Sequence, residues 1–365
     1  MQQMDVLEAL AFCLKRGIAF YAYRLPGGKS FCFGAQLEGE VVCLDSVENL
    51  ADSDGFVAVP FREDEGAAPL FIRGDVVFEG MMEEQEVLAN LQQAERKKGV
   101  DVKPKKACSR EDYRKQADGM IGALQQKVAR KAVLARGIVV ETDAYCRAPQ
   151  WFESLALRYP DAFVFLVSVP GKMTWMGATP EILLKQEERE VVTMSLAGTR
   201  KVGSVGEWGG KELEEQRIVT EYIADLLQKV GEWSVEGPFT KQAGGVEHLC
   251  TVFKKNGQLS LVDVERLRRI LHPTPAVGGF PLREALEIIR REEGIHRRYY
   301  AGYVGPWYRS GCFQWYVNLR SMELFPGAVR LYVGGGITAL SDAEKEWEET
   351  VMKSRTLLDV IGNDL

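Results

Sequence analysis

The chain has 365 residues, of which 46% are hydrophobic and 27% are charged, and its formal net charge is −6. This composition is typical of a globular protein, and the length fits one large domain or roughly two or three smaller ones. The negative charge argues against nucleic-acid binding through a basic surface, and the longest strongly apolar run, 162–170, is too short to cross a bilayer.

Two further features of the sequence concern the cellular compartment. Acidic residues Asp5 and Glu8 interrupt the first apolar stretch, which argues against a secretory signal. The seven cysteines are widely scattered without a C-x-x-C motif, and the chain has only three histidines. This pattern argues against a disulfide framework or a zinc cluster, so we expect a cytoplasmic protein with no membrane or nucleic-acid partner.

The first part of the chain predicts a mixture of helix and hairpin-linked strands. In chain order we expect a helix over 5–15, strands over 18–23 and 30–33 joined at Pro26-Gly27-Gly28, a polar loop over 95–106, and a helix from Ser109 to about Arg130. The start of that helix has the pattern of a capping box, because Ser109 is followed three residues later by Asp112.

The remainder of the chain continues this mixture. We expect strands over 132–141, 162–169, 174–184, 190–194, 246–253, 299–304, 313–319 and 329–333, and helices over 148–159, 209–230, 262–271, 282–292 and 343–361. Helices and strands do not alternate regularly, which disfavours a parallel sheet built from βαβ units. The sequence therefore predicts an α+β fold with a mostly antiparallel sheet.

Two pairs of glutamates have the spacing of a metal site. Glu212 and Glu215 lie three residues apart on one predicted helix, and Glu346 and Glu349 have the same spacing on the last helix. Residues three apart share a helical face, so each pair can direct its oxygens at one point. Two such faces that converge would make a site of oxygen ligands that suits Mg²⁺. Each pair alone, however, is typical of a solvated helix face. Lys353 could also form an ordinary i, i+4 ion pair with Glu349.

Two small-residue stretches are candidates for close approach of a ligand to the backbone. Gly334-Gly335-Gly336 follows the predicted strand 329–333 and precedes the last helix, without the spacing of a dinucleotide or Walker loop. A tight bend between strand and loop explains it equally well. The stretch 195–200 (SLAGTR) is predicted to be a second turn, after the strand that ends at Met194.

Lys131 and Glu181 are the candidates for acid–base chemistry. Each lies in a mainly apolar stretch, KAVLAR over 131–136 and ATPEIL over 178–183. Burial disfavours the charged form of either side chain, so Lys131 could act as a base and Glu181 as a protonated acid near neutral pH. Taken singly, each is also compatible with a surface position at the end of a strand.

The stretch 271–281 (LHPTPAVGGFP) is the most distinctive in the chain. Its three prolines and two glycines exclude helix interior and central strand, so it is a stiff loop. Such a loop can serve as a structural connector or can hold a ligand, and His272 and Thr274 would supply polar groups for the latter.

A series of these stretches resembles, in order, the motifs of the chorismate-utilising enzymes. They are KAVLAR (131–136), TPEIL (179–183), LAGTR (196–200), KELEEQRIVT (211–220), LHPTPAVGGFP (271–281), YAG (300–302), LRS (319–321), GGG (334–336) and EWEETVMK (346–353). The resemblance covers 105–365, whereas 1–104 carries no such motif. It implies a single chorismate-binding domain over 1–365, made of a divergent part (1–104) and a motif-bearing catalytic core (105–365).

The resemblance also implies a fold and a set of roles. The fold is an α/β sandwich with a large, mostly antiparallel two-layer sheet core flanked by helices. Lys131 matches the residue that activates water for attack at C2 of chorismate, and Glu181 matches the acid that protonates the departing C4 hydroxyl. The positions that match Mg²⁺ ligands are Glu215 and Glu349, with Glu212 and Glu346 beside them. The positions that match substrate-binding residues are Gly198, Thr199, His272, Ala276, Tyr300, Arg320, Gly334 and Lys353.

Two positions distinguish members of the family. Relatives that use ammonia generally lack the lysine at position 131, and salicylate synthases usually carry threonine at the position of Ala276. The resemblance is therefore to isochorismate synthases, which convert chorismate reversibly to isochorismate for menaquinone or catechol siderophores and need no amidotransferase subunit. The alternatives are a salicylate synthase, the first component of an anthranilate or aminodeoxychorismate synthase, and a non-catalytic relative.

The chain departs from the family pattern at two places. Gln216 stands where the family commonly has histidine, next to Glu215, and it could alter the surroundings of the metal ligand. Pro306 is inserted into the usual Val-Gly-Trp stretch, which we expect to change a turn rather than the chemistry.

Overall fold

The computed structural model of the protein describes residues 3–50, 52–94, 104 and 107–362. The predicted polar loop over 95–106 lies outside the described residues except for position 104. The helices are α1 (Val6–Arg16), α2 (Glu84–Gln93), α3 (Arg110–Gln125), α4 (Ala144–Arg158), α5 (Gly210–Leu227), α6 (Leu261–Leu271), α7 (Leu282–Glu292) and α8 (Ala343–Ile361). Short 3-10 turns lie at Val47–Leu50, Glu63–Glu65 and Gln228–Val230.

Strands make up most of the remaining described chain. They are β1 (Gln3–Asp5), β2 (Ala19–Arg24), β3 (Cys32–Gln36), β4 (Val42–Cys43), β5 (Gly55–Val59), β6 (Leu70–Arg73), β7 (Val76–Glu79), β8 (Met81–Glu83), β9 (Lys131–Glu141), β10 (Phe163–Val169), β11 (Met173–Thr179), β12 (Ile182–Gln186), β13 (Glu190–Lys201), β14 (Ser234–Ala243), β15 (Val246–Asn256), β16 (Gly279–Phe280), β17 (Tyr303–Trp307), β18 (Phe313–Val317), β19 (Ser321–Phe325) and β20 (Ala328–Thr338).

Two nine-stranded sheets form the centre of the fold. The first has the order β16-β9-β20-β19-β11-β10-β2-β3-β7, and the second has the order β14-β15-β13-β12-β18-β17-β5-β6-β4. All strand pairs in the described chain are antiparallel. The predicted α+β fold with two large antiparallel sheets flanked by helices is confirmed.

Alternating side chains explain how the first sheet is covered on both faces. Along β10, Phe163 and Phe165 pack into the core between the two sheets, whereas Val164 and Leu166 pack into a second core beneath helices α1 and α4. Successive side chains of a strand point to opposite faces of the sheet. A strand that is buried on both faces therefore has a continuous apolar sequence, as β10 does. Within the inner core, Phe163 stacks on Tyr316 of the second sheet with ring centroids 4.2 Å apart.

The starts of α1, α3 and α8 agree with the prediction to within one residue and carry a capping side chain, but α4 begins at Ala144, capped by Asp143, and not at the predicted residue 148. Asp5 and Ser109 both form capping boxes at the starts of α1 and α3. Asp342 caps α8 by accepting hydrogen bonds from the N–H groups of Glu344 and Lys345. Each cap satisfies backbone donors that would otherwise have no partner at the helix start. The helix after Ser109 ends at Gln125, however, and not near Arg130.

Several predicted strands differ in a way that matters for the site. The strand predicted over 174–184 is two strands in different sheets, since Pro180 cannot donate to a ladder and the chain crosses between sheets at Glu181. The stretch 195–200, predicted as a turn, lies within the long strand β13. The stretch 334–336, predicted as the end of a strand, lies within the long strand β20. The strand predicted from residue 299 begins at Tyr303, because Arg298 and Ala301 have φ values of 51° and 61°.

Candidate active site

One cavity between the sheets and helices gathers most of the predicted site residues. It encloses about 820 Å³, counting open solvent at its mouth, which is within the usual range for small-molecule sites. The predicted residues that line it are Glu181, Gly198, Thr199, Glu215, Ala276, Tyr300, Arg320, Gly334 and Lys353. They come from stretches far apart in the chain, so the fold and not local sequence brings them together.

Glu181 lies where the chain passes from the first sheet to the second. Its backbone carbonyl accepts a hydrogen bond of 2.9 Å from the N–H of Val317, which fixes the crossing point, and the residue is 3% exposed. Burial raises the pKa of the Glu181 carboxyl to about 8, against the opposing attraction of Lys131 and Lys241. The side chain is therefore a neutral carboxylic acid at pH 7.

Lys131 begins β9 and is fully buried. Its Nζ lies 2.9 Å from Oε1 of Glu215, an ion-pair distance, but it has no well-directed hydrogen-bond acceptor among the described residues. A Cβ built on Gly336 would lie 2.9 Å from Cε of Lys131 and 2.5 Å from Oε1 of Glu215. The lysine thus lies directly behind the cavity wall formed by Gly336 and Glu215, and the absence of a side chain at Gly336 makes room for the pair.

Three glutamates converge over the glycines of β20. Oxygens of Glu346 and Glu349 lie 3.4 and 3.5 Å from the point where a Cβ on Gly335 would stand, and Glu215 lies next to Gly336. The helices α5 and α8 deliver these carboxylates from two sides, as the i, i+3 spacing on α8 predicts. Glu212 is not brought to them, because its carboxylate folds back against Gly209 at the start of α5.

Each of these three carboxylates is paired with a lysine. Besides the pair of Lys131 with Glu215, Lys211 lies 2.6 Å from Glu346, and Lys353 lies 2.6 Å from Glu349. Burial alone would raise the pKa of Glu215, but the positive charges of Lys131 and the neighbouring lysines hold that pKa below its ordinary value. The site therefore balances dense negative charge with dense positive charge.

The donor chemistry of this cluster fits a magnesium ion. Its ligands would all be carboxylate oxygens, which hard divalent cations prefer, and Oε2 of Glu346 is buried without a hydrogen-bond partner in the described chain. Burial raises the pKa of Glu346, as expected for a carboxylate that lacks a full set of partners. Within the described ranges, no three acidic, thiol or imidazole side chains are arranged as a metal-binding group, and each of the three carboxylates lies against a lysine.

Arg320 provides a half-buried cation inside the cavity. It has a φ of 47°, a strained conformation for a residue with a side chain, in the turn between β18 and β19. One of its terminal nitrogens donates to the carbonyl of Ala243 over 2.6 Å, and the other lies 2.9 Å from Nε2 of His248. No carboxylate of the described residues pairs with it. Burial lowers the pKa of Arg320 to about 10, so the guanidinium remains charged at pH 7.

His248, which the sequence did not single out, holds Arg320 in place. Its Nε2 faces a guanidinium that can only donate, so Nδ1 carries the proton and donates to the carbonyl of Gly198 over 2.9 Å. Burial, followed by the charge of Arg320, lowers the pKa of His248 to about 3 and keeps the imidazole neutral. The histidine thereby connects Arg320 to the backbone of β13.

That part of β13 carries an irregularity in its pairing. The register with β15 shifts between Ala197 and Arg200, and Gly198 has a φ of 67°. The bulge turns Gly198 and Thr199 toward the cavity, as bulges next to binding sites commonly do. The small-residue stretch therefore lies at the cavity, although it is strand and not turn.

Tyr300 and Lys353 complete the opposite part of the lining. The Tyr300 ring stacks on Tyr332 with centroids 5.5 Å apart, and its hydroxyl lies 3.2 Å from the Cβ position of Gly334. Nζ of Lys353 donates to the carbonyl of Gly334 over 3.0 Å. Together with Arg320, these groups could contact an anionic ligand from several directions.

His272 is not brought to the cavity. Its side chain is half-buried on the other side of the 271–281 loop, where Nε2 lies 2.9 Å from the carbonyl oxygen of Pro60, and it borders a separate groove with Tyr303. Ala276 of the same loop does line the cavity. The loop therefore presents its apolar side, and not its histidine, to a ligand.

Sequence reasoning missed three residues of the site. Arg297 lines the cavity, Lys211 pairs with Glu346, and His248 holds Arg320. The rarity of histidine in the chain and the position of Lys211 one residue before Glu212 were available signals. Nothing in the local sequence around Arg297 indicates that its guanidinium is fully buried.

Comparison with known proteins assigns the chain to a family. Residues 73–362 match the family model described as chorismate binding enzyme. The isochorismate synthase EntC of Escherichia coli is 31% identical over 246 residues, which are 64% of this chain and 62% of that protein. The isochorismate synthase DhbC of Bacillus subtilis is 28% identical over 84% of this chain and 80% of its own length. The chain thus spans less than two thirds of the length of EntC.

A solved structure agrees with the sequence matches. The menaquinone-specific isochorismate synthase MenF of Escherichia coli superposes with a TM-score of 0.76, covering 98% of this chain and 94% of that one at 21% identity. At that identity the likeness concerns the fold, and it agrees with the two antiparallel sheets described above. Because the family model extends over most of the chain, the protein belongs to the chorismate-binding enzyme family.

Proposed function

We propose that the protein is an isochorismate synthase that converts chorismate reversibly to isochorismate. Water adds at C2 of the ring, the two ring double bonds shift, and the C4 hydroxyl leaves as water after protonation, so that the net reaction is an isomerisation. The observation that carries this proposal is the pairing, in one cavity, of a neutral carboxylic acid at Glu181 with a half-buried guanidinium at Arg320 that has no carboxylate partner among the described residues.

The cationic groups suit a substrate with two carboxylates. Arg320 can bind one carboxylate through two parallel N–H groups, and Tyr300 and Lys353 can donate to it from the other side of the cavity. The backbone of Gly198 and Gly334 and the side chain of Thr199 border the same space. His272 remains a predicted substrate contact without geometric support, since its side chain faces Pro60.

Acid and base lie on different elements around this space. Glu181 holds its proton on a carboxyl at the sheet crossing, where it can protonate the departing hydroxyl. Lys131 lies behind Gly336, and we propose that its amine accepts a proton from the attacking water. Each role is typical of general acid–base catalysis, which commonly contributes on the order of 10²–10⁴-fold.

Magnesium would be held by Glu215 and Glu349, with Glu346 beside them. Glu212 was also predicted there, but its carboxylate folds back against Gly209. When bound, the ion would neutralise a substrate carboxylate and so reduce the cost of placing a dianion beside these glutamates. The chain's own part is to supply oxygen ligands from α5 and α8 and to leave Gly335 and Gly336 without side chains beneath them.

Ala276 and Lys131 favour this reaction over those of other family members. A salicylate synthase would also expel pyruvate, and ammonia-using synthases generally lack the lysine. The chain has Lys131, and the small side chain of Ala276 lines the cavity. We propose a menaquinone or catechol siderophore pathway as the destination of the product, a cytoplasmic location and no obligatory amidotransferase subunit.

We also propose that 1–365 forms one chorismate-binding domain. The strands β2, β3 and β7 of the first part extend the first sheet, and β4, β5 and β6 extend the second. These strands of the described part of 1–104 therefore continue the sheets that carry the site, whereas β1 and β8 pair with each other. The described part of the chain contains no helix that is long and apolar enough to span a membrane.

The direct test of this function is a product assay. Purified protein is incubated with chorismate and Mg²⁺, and the products are separated by chromatography. Isochorismate as the sole product supports the proposal. Salicylate with pyruvate, or anthranilate formed only when ammonia is supplied, would replace it, and no conversion of chorismate would favour a non-catalytic relative.

Substitution of Arg320 tests the assigned substrate contact. Arg320→Gln should raise the KM for chorismate by roughly ten- to a hundred-fold, because a charge-assisted hydrogen bond to the substrate is lost. Steady-state kinetics measures this effect, and Arg309→Gln, which removes an exposed arginine paired with Asp54, is the matched control. A KM for Arg320→Gln equal to that of the control would exclude Arg320 from substrate binding.

A further inference from the structure

The wall of the cavity that carries Tyr300 rests on the first part of the chain. This wall is the turn formed by residues 297–302, here called the substrate-facing turn. The carbonyl of Arg298 in this turn accepts a hydrogen bond of 2.8 Å from the N–H of Phe61. The hydroxyl of Tyr299 donates a hydrogen bond of 2.8 Å to the carbonyl of Ala68. A Cβ at Gly302 would collide with the carbonyl oxygen of Val59.

Arg297 connects this turn to the rest of the cavity. Its guanidinium is fully buried and donates to the carbonyls of Val277, in the 271–281 loop, and Val133, in β9, over 2.8 and 2.7 Å. It is also paired with Glu293 over 2.7 Å, and Glu293 in turn accepts a hydrogen bond of 2.8 Å from the N–H of Ala135. One side chain thus ties three walls of the site to each other.

Phe61 covers one face of that guanidinium. The centre of the Arg297 guanidinium lies 4.2 Å from the centroid of the Phe61 ring, and Phe61 is 2% exposed. A cation that is desolvated over an aromatic face is held in place more strongly than one at the surface. Phe61 belongs to the part of the chain that carries no family motif.

His272 holds the turn that presents Phe61. Burial lowers the pKa of His272 to about 4, so the ring is neutral, and Nε2 must carry its proton in order to donate to the carbonyl of Pro60 over 2.9 Å. The ring also packs edge-on against Tyr303 with centroids 5.1 Å apart. The histidine of the 271–281 loop is therefore directed at the residue before Phe61, away from the cavity.

We propose that Phe61 and His272 are positioning residues for the substrate-facing turn: His272 fixes the Pro60–Phe61 turn, and Phe61 fixes Arg297 and with it Tyr300. The inference rests on the proposed function for its kinetic consequence. It gives a task to the first part of the chain and reassigns the loop histidine from substrate contact to support.

Four variants test this inference. Phe61→Leu keeps an apolar side chain but removes the aromatic face, and His272→Ala removes the hydrogen bond that His272→Gln can restore through its amide N–H. Phe33→Leu is the matched control, since Phe33 is equally buried but lies in the core beneath α1 and α4. Thermal unfolding of all four shows how much general stability each change costs.

Kinetics and hydrogen exchange provide two independent measurements. In Phe61→Leu and His272→Ala, the KM for chorismate should rise roughly ten-fold while kcat changes little, because substrate binding and not the acid or base is disturbed. The peptide covering 297–303 should exchange amide hydrogen faster in both variants. His272→Gln should restore both quantities, and Phe33→Leu should change neither.

The inference is overturned if the peptide exchanges at the wild-type rate in both variants, if Phe33→Leu accelerates it equally, or if His272→Gln fails to restore it. Should His272→Ala not fold, the comparison of Phe61→Leu with Phe33→Leu decides. Hydrogen exchange is measured without substrate. Failure of the wild-type protein to convert chorismate would therefore reject the proposed function, while the exchange rates of the variants would still test this inference.

Discussion

Replacing Lys131 by alanine is expected to lower kcat for chorismate conversion by roughly 10²–10⁴-fold, the usual contribution of a general base. The reason is structural: Lys131 is fully buried behind Gly336, and no other lysine of the described chain lies within ion-pair distance of Glu215. Single-turnover and steady-state measurements at saturating chorismate and Mg²⁺ report the change.

The control for this variant is Lys185→Ala, which removes a partly exposed lysine that is paired with Glu187. It should leave kcat close to the wild-type value. A fall in kcat for Lys131→Ala with a normal thermal midpoint supports the role of base, whereas turnover near that of the wild type would remove Lys131 from it.

Replacing Glu181 by glutamine should produce a loss of similar size and should also change the pH profile. A buried carboxyl with a pKa raised to about 8 is protonated below that pH and ionised above it, so the acid form is lost as the pH rises. In the wild-type protein, kcat/KM should therefore be level on the acid side of pH 8 and fall as the pH rises through it.

Glutamine cannot donate a proton to the leaving hydroxyl, so kcat should fall by roughly 10²–10⁴-fold and the decline above pH 8 should vanish. Glu187→Gln, which changes an exposed carboxylate on the same hairpin, is the control and should keep both the rate and the profile. If Glu181→Gln keeps the alkaline decline, another group is the acid.

Some helix starts were predictable because they carry local signals, although α2 was not predicted. The capping box at Ser109 is formed within four residues of chain, and its hydrogen bonds are those expected from the pattern. By contrast, β14 was missed: most of its residues are exposed, and a Gly237-Pro238 step interrupts its pairing, so it lacks the apolar alternation that marks a strand.

At Pro180 the fold departs from what the local apolar pattern predicts. The apolar run over 174–184 reads as one strand, but its two halves lie in different sheets and leave Glu181 at the junction. The glycines of β20 show the reverse case. Their sequence is typical of a loop, yet they continue the strand β20. A side chain at these positions would crowd the carboxylates of Glu215 and Glu349, which lie against this part of the strand.

Nine of the residues that line the cavity were predicted as site residues, but their pairings could not be predicted. Family motifs indicated Glu215, Glu349 and Arg320, all of which line or adjoin the cavity. The partnership of Lys211 with Glu346, and that of His248 with Arg320, depends on contacts between residues far apart in sequence. Such contacts are set by the packing of the two sheets, which no local pattern records.

The origin of the new hydroxyl tests the central claim that water is the nucleophile in this cavity. The protein is incubated with chorismate and Mg²⁺ in ¹⁸O-labelled water, and isochorismate isolated at low conversion is analysed by mass spectrometry. One labelled oxygen at C2 is the predicted result, because the hydroxyl is supplied by solvent and the original one departs from C4. Isochorismate without label would show that the hydroxyl migrates within the substrate and would contradict the roles given to Lys131 and Glu181.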